Sequence, residues 1–154
     1  MGRDSRDGER AVIALDTNIL VYAHRGEMPQ HDVALRVVTE ALAGSEPVGL
    51  CWSVLHEFLA IVTSPKIFSP PTPMTMALDQ VDHWVASPRA TLLHESGRHL
   101  STLRELMASG RVLGGVTHDA RIAAMCLDHG VRELLTSDRD FTRFPTLRVR
   151  NPLV

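Results

Sequence analysis

Ala11-Val12-Ile13-Ala14-Leu15-Asp16-Thr17-Asn18 passes from five consecutive apolar residues straight into a carboxylate, a hydroxyl and an amide. An unbroken apolar run of that length reads as a strand buried on both faces, as in a parallel sheet covered by helices. Sheets of that kind bind ligands outside the carboxyl ends of their strands, where the winding reverses. Asp16 stands at that end. It is equally placed to cap a helix beginning around Ile19, a favoured position for Asp. The stretch alone leaves both readings open.

Outward from it, strands and helices alternate. Ile19 to Ala23 suggests a short buried helix. From His31 to Ala43, residues Ala34, Leu35, Val38, Ala41 and Leu42 fall at helical spacing, with Gly44 as a stop. Val48 to Cys51 reads as a second strand, and Ser53 as the N-cap of a helix running to Thr63. Ser64 to Pro73 holds four prolines in ten residues and is predicted to be an irregular, stiff connector. Thr72 or Thr75 then opens a helix over Met74 to Ala86. Ala90 to Leu93 is a third strand, followed by a helix over Gly97 to Ser109 with Leu100, Leu103, Leu106 and Met107 inward. Gly110 to Gly115 is a loop without the Lys-Ser/Thr ending of a nucleotide P-loop. Thr117 to His129 forms a helix closed by Gly130. Val131 to Thr136 is a fourth strand and Leu147 to Arg150 a short fifth. Trp52 and Trp84 read as core aromatics. The pattern predicts an α/β fold: a three-layer α/β/α sandwich around a mostly parallel sheet of four to five strands.

With 154 residues, the chain is most simply one domain. The first ten residues are polar and charged, unlike a secretory signal, and read as a loose arm or an artificial remnant. No apolar run reaches the length of a membrane span, so no membrane partner is expected. Cys51 and Cys126 lack metal-type spacing and read as buried free thiols of a reducing cytoplasm. The net charge of −2 gives no global basic field. Of 16 basic residues only Lys66 is lysine; the others are arginine, which suits planar contacts to phosphate or carboxylate.

Three carboxylates share one topological address. Asp16 and Asp138 each follow an apolar strand, and Asp119 opens a helix on the same rim. Glu57 lies early in a helix that is apolar over most of its circumference, so burial is expected; a buried carboxylate must be paired, protonated or bound to a cation. Two carboxylates about 4 Å apart repel by roughly 4 kcal/mol at an effective dielectric near 20. The cluster therefore points to a hard divalent ion, Mg²⁺ or Mn²⁺, which an all-oxygen site selects.

Four blocks carry a family resemblance: Leu15-Asp16-Thr17-Asn18, Glu57 within Val54-Leu55-His56-Glu57-Phe58-Leu59, His118-Asp119-Ala120-Arg121-Ile122-Ala123-Ala124, and Leu135-Thr136-Ser137-Asp138-Arg139-Asp140-Phe141. In order and spacing they resemble PIN-domain ribonucleases and, more narrowly, VapC toxins of toxin–antitoxin pairs. The resemblance covers about residue 11 to the end, which makes 11–154 a PIN-like nuclease domain behind a disordered 1–10 arm. It implies an endoribonuclease that hydrolyses RNA phosphodiesters through a water on the metal, with transfer or ribosomal RNA among the substrates to expect. It further implies a homodimer and a cognate VapB-type antitoxin. The acidic quartet falls on Asp16, Glu57, Asp119 and Asp138 as catalytic and metal-binding residues, with Asp140 as a further ligand and Asn18 and Thr136 in support. Arg121, Arg139 and Arg143, in or just after these blocks, are candidates for phosphate contacts.

Two rival functions follow from the same residues. A phosphatase using Asp16 as nucleophile would resemble a family that needs a second Asp where this chain has Asn18, and a lysine near the later acids, whereas Lys66 lies in the proline connector. A catalytically silent PIN-like module would bind without cutting. His118 reads as a helix-entry residue, and His31 and His56 as structural.

Overall fold

The computed structural model describes residues 11–154; the expectation of a loose arm over residues 1–10 lies outside the described residues. Five parallel strands form one sheet in the order β3-β2-β1-β4-β5, with β1 Ile13–Leu15, β2 Val48–Cys51, β3 Ala90–Leu93, β4 Glu133–Leu135 and β5 Val149–Arg150. The inner strands β1 and β4 are shorter than the segments Ala11 to Leu15 and Val131 to Thr136 that read as strands, whereas β3 spans its whole expected segment. Backbone bonds continue past the strand ends all the same: Val12 N–H donates to Pro47 O (3.0 Å) and Thr136 N–H to Arg150 O (3.0 Å).

Helices α1 (Thr17–His24), α2 (His31–Ala43), α3 (Trp52–Val62) and α4 (Met74–Val85) lie on the path from β1 to β3. Helices α5 (His99–Ser109) and α6 (Thr117–Asp128) lie on the return path from β3 to β4. Right-handed crossovers that step in opposite directions along a sheet cover opposite faces. Contacts agree: α1 packs on α2 and α3, and α3 on α4, whereas α5 packs on α6. The result is the expected three-layer sandwich, and its winding reverses between β1 and β4.

The core is filled by Leu15, Leu50, Leu55, Phe58, Leu134 and Phe141, all essentially without solvent contact. Gly49 sits where a Cβ would meet Leu93 Cδ1 at 2.8 Å, so any other residue there would have to displace the Leu93 side chain. Gly130, at φ 69°, closes α6 in the left-handed conformation that favours glycine at a helix end.

Several local expectations are corrected. Helix α1 begins at Thr17, two residues early, because Asp16 caps it directly. Helix α3 begins at Trp52, so Ser53 lies inside the first turn and caps nothing. Helix α4 is preceded by Pro73, while the Thr72 hydroxyl is engaged by His24 and Arg25 instead. Trp52 is 41 % exposed and Leu100 66 % exposed, so neither belongs to the core. No helix among the described residues is long and apolar enough to cross a membrane.

Candidate active site

At the carboxyl edge between β1 and β4 the backbone itself organises the acids. Asp16 Oδ1 accepts the Thr17 N–H at 2.8 Å, which makes it the N-cap of α1. Its Oδ2 accepts the Thr136 hydroxyl at 2.6 Å, from the residue after β4. Asp16 is thus the cap of α1 and at the same time stands at the strand-end edge, so the two readings of it are compatible. Thr136 Oγ1 in turn accepts the Asp138 N–H (2.9 Å), and Asp138 Oδ1 accepts the Asp140 N–H (2.8 Å) to start the short turn Arg139–Arg143. Asn18 Oδ1 accepts the Ser137 N–H at 3.4 Å. Thr136 and Asn18 therefore both tie the loop after β4 to the start of α1.

Glu57 reaches the same edge from α3, where its Oε2 accepts the Thr17 hydroxyl at 3.0 Å. It is not buried as its apolar neighbours suggest. The buried face of α3 is Val54, Leu55, Phe58 and Val62, whereas Trp52, His56, Glu57 and Ala60 face solvent. Leu59 and Ile61 widen the apolar arc in the sequence, yet both are only half-buried, at the edge of the packed face. Thr17, absent from the sequence-derived site, is the residue that positions Glu57. Only its place inside the Asp16-Thr17-Asn18 block hinted at this.

Asp16, Glu57, Asp119 and Asp138 line one cavity of about 240 Å³. Asp119, Asp138 and Asp140 come closest together, each offering an oxygen within 4.8 Å of the other two. Burial raises Asp16 from 3.8 to about 6; the bonds from Thr136 and Thr17 lower it, and the charges of Glu57 and Asp138 raise it further. Burial also raises Asp119 to about 7, helped by repulsion from Asp138, Asp16, Asp140 and Glu57. No arginine or lysine forms an ion pair with any of these five acids among the described residues. An all-oxygen set under mutual repulsion, with no such ion pair to relieve it, fits a hard divalent cation. The same cavity also has a largely apolar lining: Val21, Tyr22, Met28, Ile61, Ile67 and Phe68.

The candidate arginines are distributed differently. Arg121 pairs with Glu95 through Nε (2.7 Å) and Nη2, and lines a neighbouring cavity with Glu57 and His118. Arg139 is exposed at the start of its turn. Arg143 is exposed and reaches Gly110 O at 3.4 Å. Neither Arg139 nor Arg143 is among the residues lining the acidic cavity.

A family model described as PIN domain matches residues 13–147. The chain belongs to the PIN-domain family. Within that family it is similar to a protein named VapC ribonuclease from Mycobacterium bovis, 38% identical over 143 residues, which span 92% of this chain and 96% of the relative. Ribonuclease VapC37 of Mycobacterium tuberculosis is 31% identical over 138 residues, 90% of this chain and 95% of that one. These identities place this PIN-domain protein with the VapC ribonucleases. Among solved structures, VapC20 of Mycobacterium tuberculosis, described as a Sarcin-Ricin loop cleaving toxin, superposes with a TM-score of 0.64 at 16% identity, covering 84% of this chain and 92% of that chain. VapBC2 from Rickettsia felis, solved on a DNA fragment from its promoter, gives a TM-score of 0.64 at 20% identity, covering 90% and 97%. At those identities the likeness is one of fold.

Proposed function

We propose that this PIN-domain protein is a cytoplasmic, divalent-metal-dependent endoribonuclease that acts as the toxin of a toxin–antitoxin pair. The observation that carries the reading is the convergence of Asp16, Glu57, Asp119 and Asp138 on one cavity at the switch point of the sheet, with no ion pair to a cationic side chain among the described residues. The quartet would hold Mg²⁺ or Mn²⁺, with Asp140 as a further ligand beside Asp119 and Asp138. A bound ion of this class supplies Lewis-acid activation of water and of the phosphodiester. The protein's own part is positional. Thr17 and Thr136 orient Glu57 and Asp16, and the buried Asp16 carboxylate is kept away from bulk water. In-line attack by water would form the new bond to phosphorus as the bond to the 3′ oxygen breaks, and with a proton passed to that oxygen the products would be a 5′-phosphate and a 3′-hydroxyl.

The apolar lining of the acidic cavity suits a segment of a VapB-type antitoxin, with Ile67 57 % exposed. An antitoxin arginine reaching past that lining would neutralise the acids, and helix-in-groove docking supplies the affinity. We further propose a homodimer. The deciding experiment is RNA cleavage with and without Mg²⁺, comparing the wild type with Asp16→Asn. Metal-dependent cleavage by the wild type alone supports the nuclease. A covalent phosphate on Asp16 would instead make the protein a phosphatase, and RNA binding without cleavage in any metal would make it a silent module.

A further inference from the structure

Beyond Glu57, α3 presents features that the acidic cavity does not use. Trp52, in the first turn, is 41 % exposed, whereas the second tryptophan, Trp84, is 4 % exposed and packs edge-on against Phe58. A large aromatic left in solvent is more informative than a stray surface leucine. Its ring tilts against His56 one turn on, with centroids 6.2 Å apart. Trp52 itself does not line a cavity, but the next residue does: Ser53, Glu57, His118, Arg121 and Ile122 line one of about 300 Å³. The Ser53 hydroxyl is buried there with no hydrogen-bond partner. Buried polar atoms are normally satisfied, so this hydroxyl has a bonding capacity that a change of its rotamer would offer to a ligand in the cavity. Glu95 grips the Arg121 guanidinium through Nε and Nη2, which fixes its plane; Nη1 makes no hydrogen bond among the described residues.

Glu57 lines both cavities, so a strand crossing the acids and continuing past it meets this shelf next. We propose that the shelf is a second RNA contact: Ser53, His118 and Arg121 take a phosphate adjacent to the one at the acids, and Trp52 carries a stacked base. The chemistry matches the occupant. Arginine's planar fork suits phosphate oxygens, and base stacking on an exposed aromatic tolerates any sequence. Aromatic and cationic groups side by side answer the alternating base and phosphate of a single strand. The assignment rests on the reading that the acids cut RNA.

The two tryptophans make a direct test available. Because Trp84 is shielded, fluorescence quenching by added ligand reports Trp52. Asp16→Asn protein is titrated with short single-stranded oligoadenylate and oligouridylate at several salt concentrations. Both RNAs are expected to quench saturably, and Trp52→Ala to weaken binding roughly tenfold. Arg121→Gln is expected to lower the salt slope by about one. Glu95→Gln, which releases Arg121, is expected to move the opposite way, with tighter binding and a steeper slope. A merely structural Arg121–Glu95 pair would make both substitutions act alike. Unchanged affinity in both Trp52→Ala and Arg121→Gln overturns the proposal. Fluorescence that follows protein concentration and ignores RNA gives the face to a second copy of the chain, and overturns it too. If the Asp16→Asn protein binds through Trp52 while the wild type releases no fragments with Mg²⁺ or Mn²⁺, the shelf stands and the hydrolytic reading falls.

Discussion

The Thr17 hydroxyl donates to Glu57 Oε2 at 3.0 Å, joining the first turn of α1 to a carboxylate forty positions away in sequence. Thr17 N–H meanwhile donates to Asp16 Oδ1. One residue therefore sets the orientation of two acids from different elements. Glu57 is exposed, and without this bond its long side chain would sample many rotamers. Thr17→Val keeps the shape and removes the donor. Groups that orient metal ligands typically matter by 10–100-fold in affinity or activity. A loss in that range is expected for Mn²⁺ binding by calorimetry and for RNA cleavage, with recovery in Thr17→Ser. Full activity in Thr17→Val would show that Glu57 needs no positioning.

Burial and repulsion hold Asp16 near 6 and Asp119 near 7, both above their ordinary 3.8. A carboxyl whose folded value is raised binds its proton more tightly in the native state than in the unfolded one. Below about pH 4 both states are protonated and nothing is lost. Between roughly pH 4 and pH 7 the native state retains more protons, so the metal-free protein loses stability as pH rises through that window. Asp16→Asn removes one such group, and for a shift of about two units the gain at neutral pH is on the order of 3 kcal/mol. Urea unfolding in chelator at pH 5 and pH 7.5 checks both expectations. A metal-free wild type more stable at pH 7.5 than at pH 5 would contradict the assigned environment.

Metal should reverse that slope. Ligand carboxylates must give up their protons, so affinity rises with pH until Asp119 is ionised and levels off above about pH 7. At a hundred times the dissociation constant a bound ion adds about 2.7 kcal/mol to stability. Thermal unfolding with and without Mn²⁺ is expected to show this increment at pH 7.5, a smaller one at pH 5.5, and none in Asp119→Asn/Asp138→Asn.

Much of this arrangement is legible in the chain because strand-end acids announce themselves: an apolar run that stops at Asp16 or before Asp138 fixes both place and direction. The parallel sheet follows from the same runs. What periodicity misjudged lies on α3. Val54, Leu55, Phe58, Leu59, Ile61 and Val62 spread apolar residues round most of the helix and made Glu57 look buried, yet Leu59 and Ile61 are only half-buried and Glu57 is exposed. The role of Thr17 is illegible for another reason: its partner is set by how α1 packs against α3, a tertiary fact with no local pattern. Asp140, a secondary choice in the sequence, joins Asp119 and Asp138 in a group whose oxygens lie within 4.8 Å of one another, because the short turn after Asp138 folds it back.

Gly49 tests how tightly the sheet beneath the site is built. An added Cβ would stand 2.8 Å from Leu93 Cδ1 and 3.4 Å from the Cβ atoms of Ala11 and Ala14. Leu93 is 2 % exposed and has little room to rotate away. Overpacking of this kind costs about 1–3 kcal/mol. Gly49→Ala should lower the urea midpoint accordingly, and Gly49→Ala/Leu93→Val should recover part of the loss. An unaffected midpoint in the single variant would mean that β3 shifts freely.

Arg25 holds the proline-rich connector in place. Its Nη1 donates to Thr72 Oγ1 (3.0 Å), its Nη2 to Pro70 O (2.9 Å) and its Nε to Glu27 (2.7 Å), while the guanidinium lies 4.3 Å from the centre of the Phe68 ring. Thr72 also meets His24 at 3.1 Å. Ile67 and Phe68 of that connector form part of the apolar lining of the acidic cavity. Arg25→Met retains an apolar stem but loses three donors and the cation over the ring. The expected cost is about 1–3 kcal/mol in stability, concentrated on residues 64–73. Hydrogen exchange should therefore accelerate at Phe68 and Thr72, whose N–H groups donate to Ser64 O and Val62 O, while Leu134 in β4 stays protected. Because that lining loosens and the acids do not, binding of a cognate antitoxin should weaken more than Mn²⁺ binding does. Equal losses in both would mean that the connector supports the metal ligands themselves.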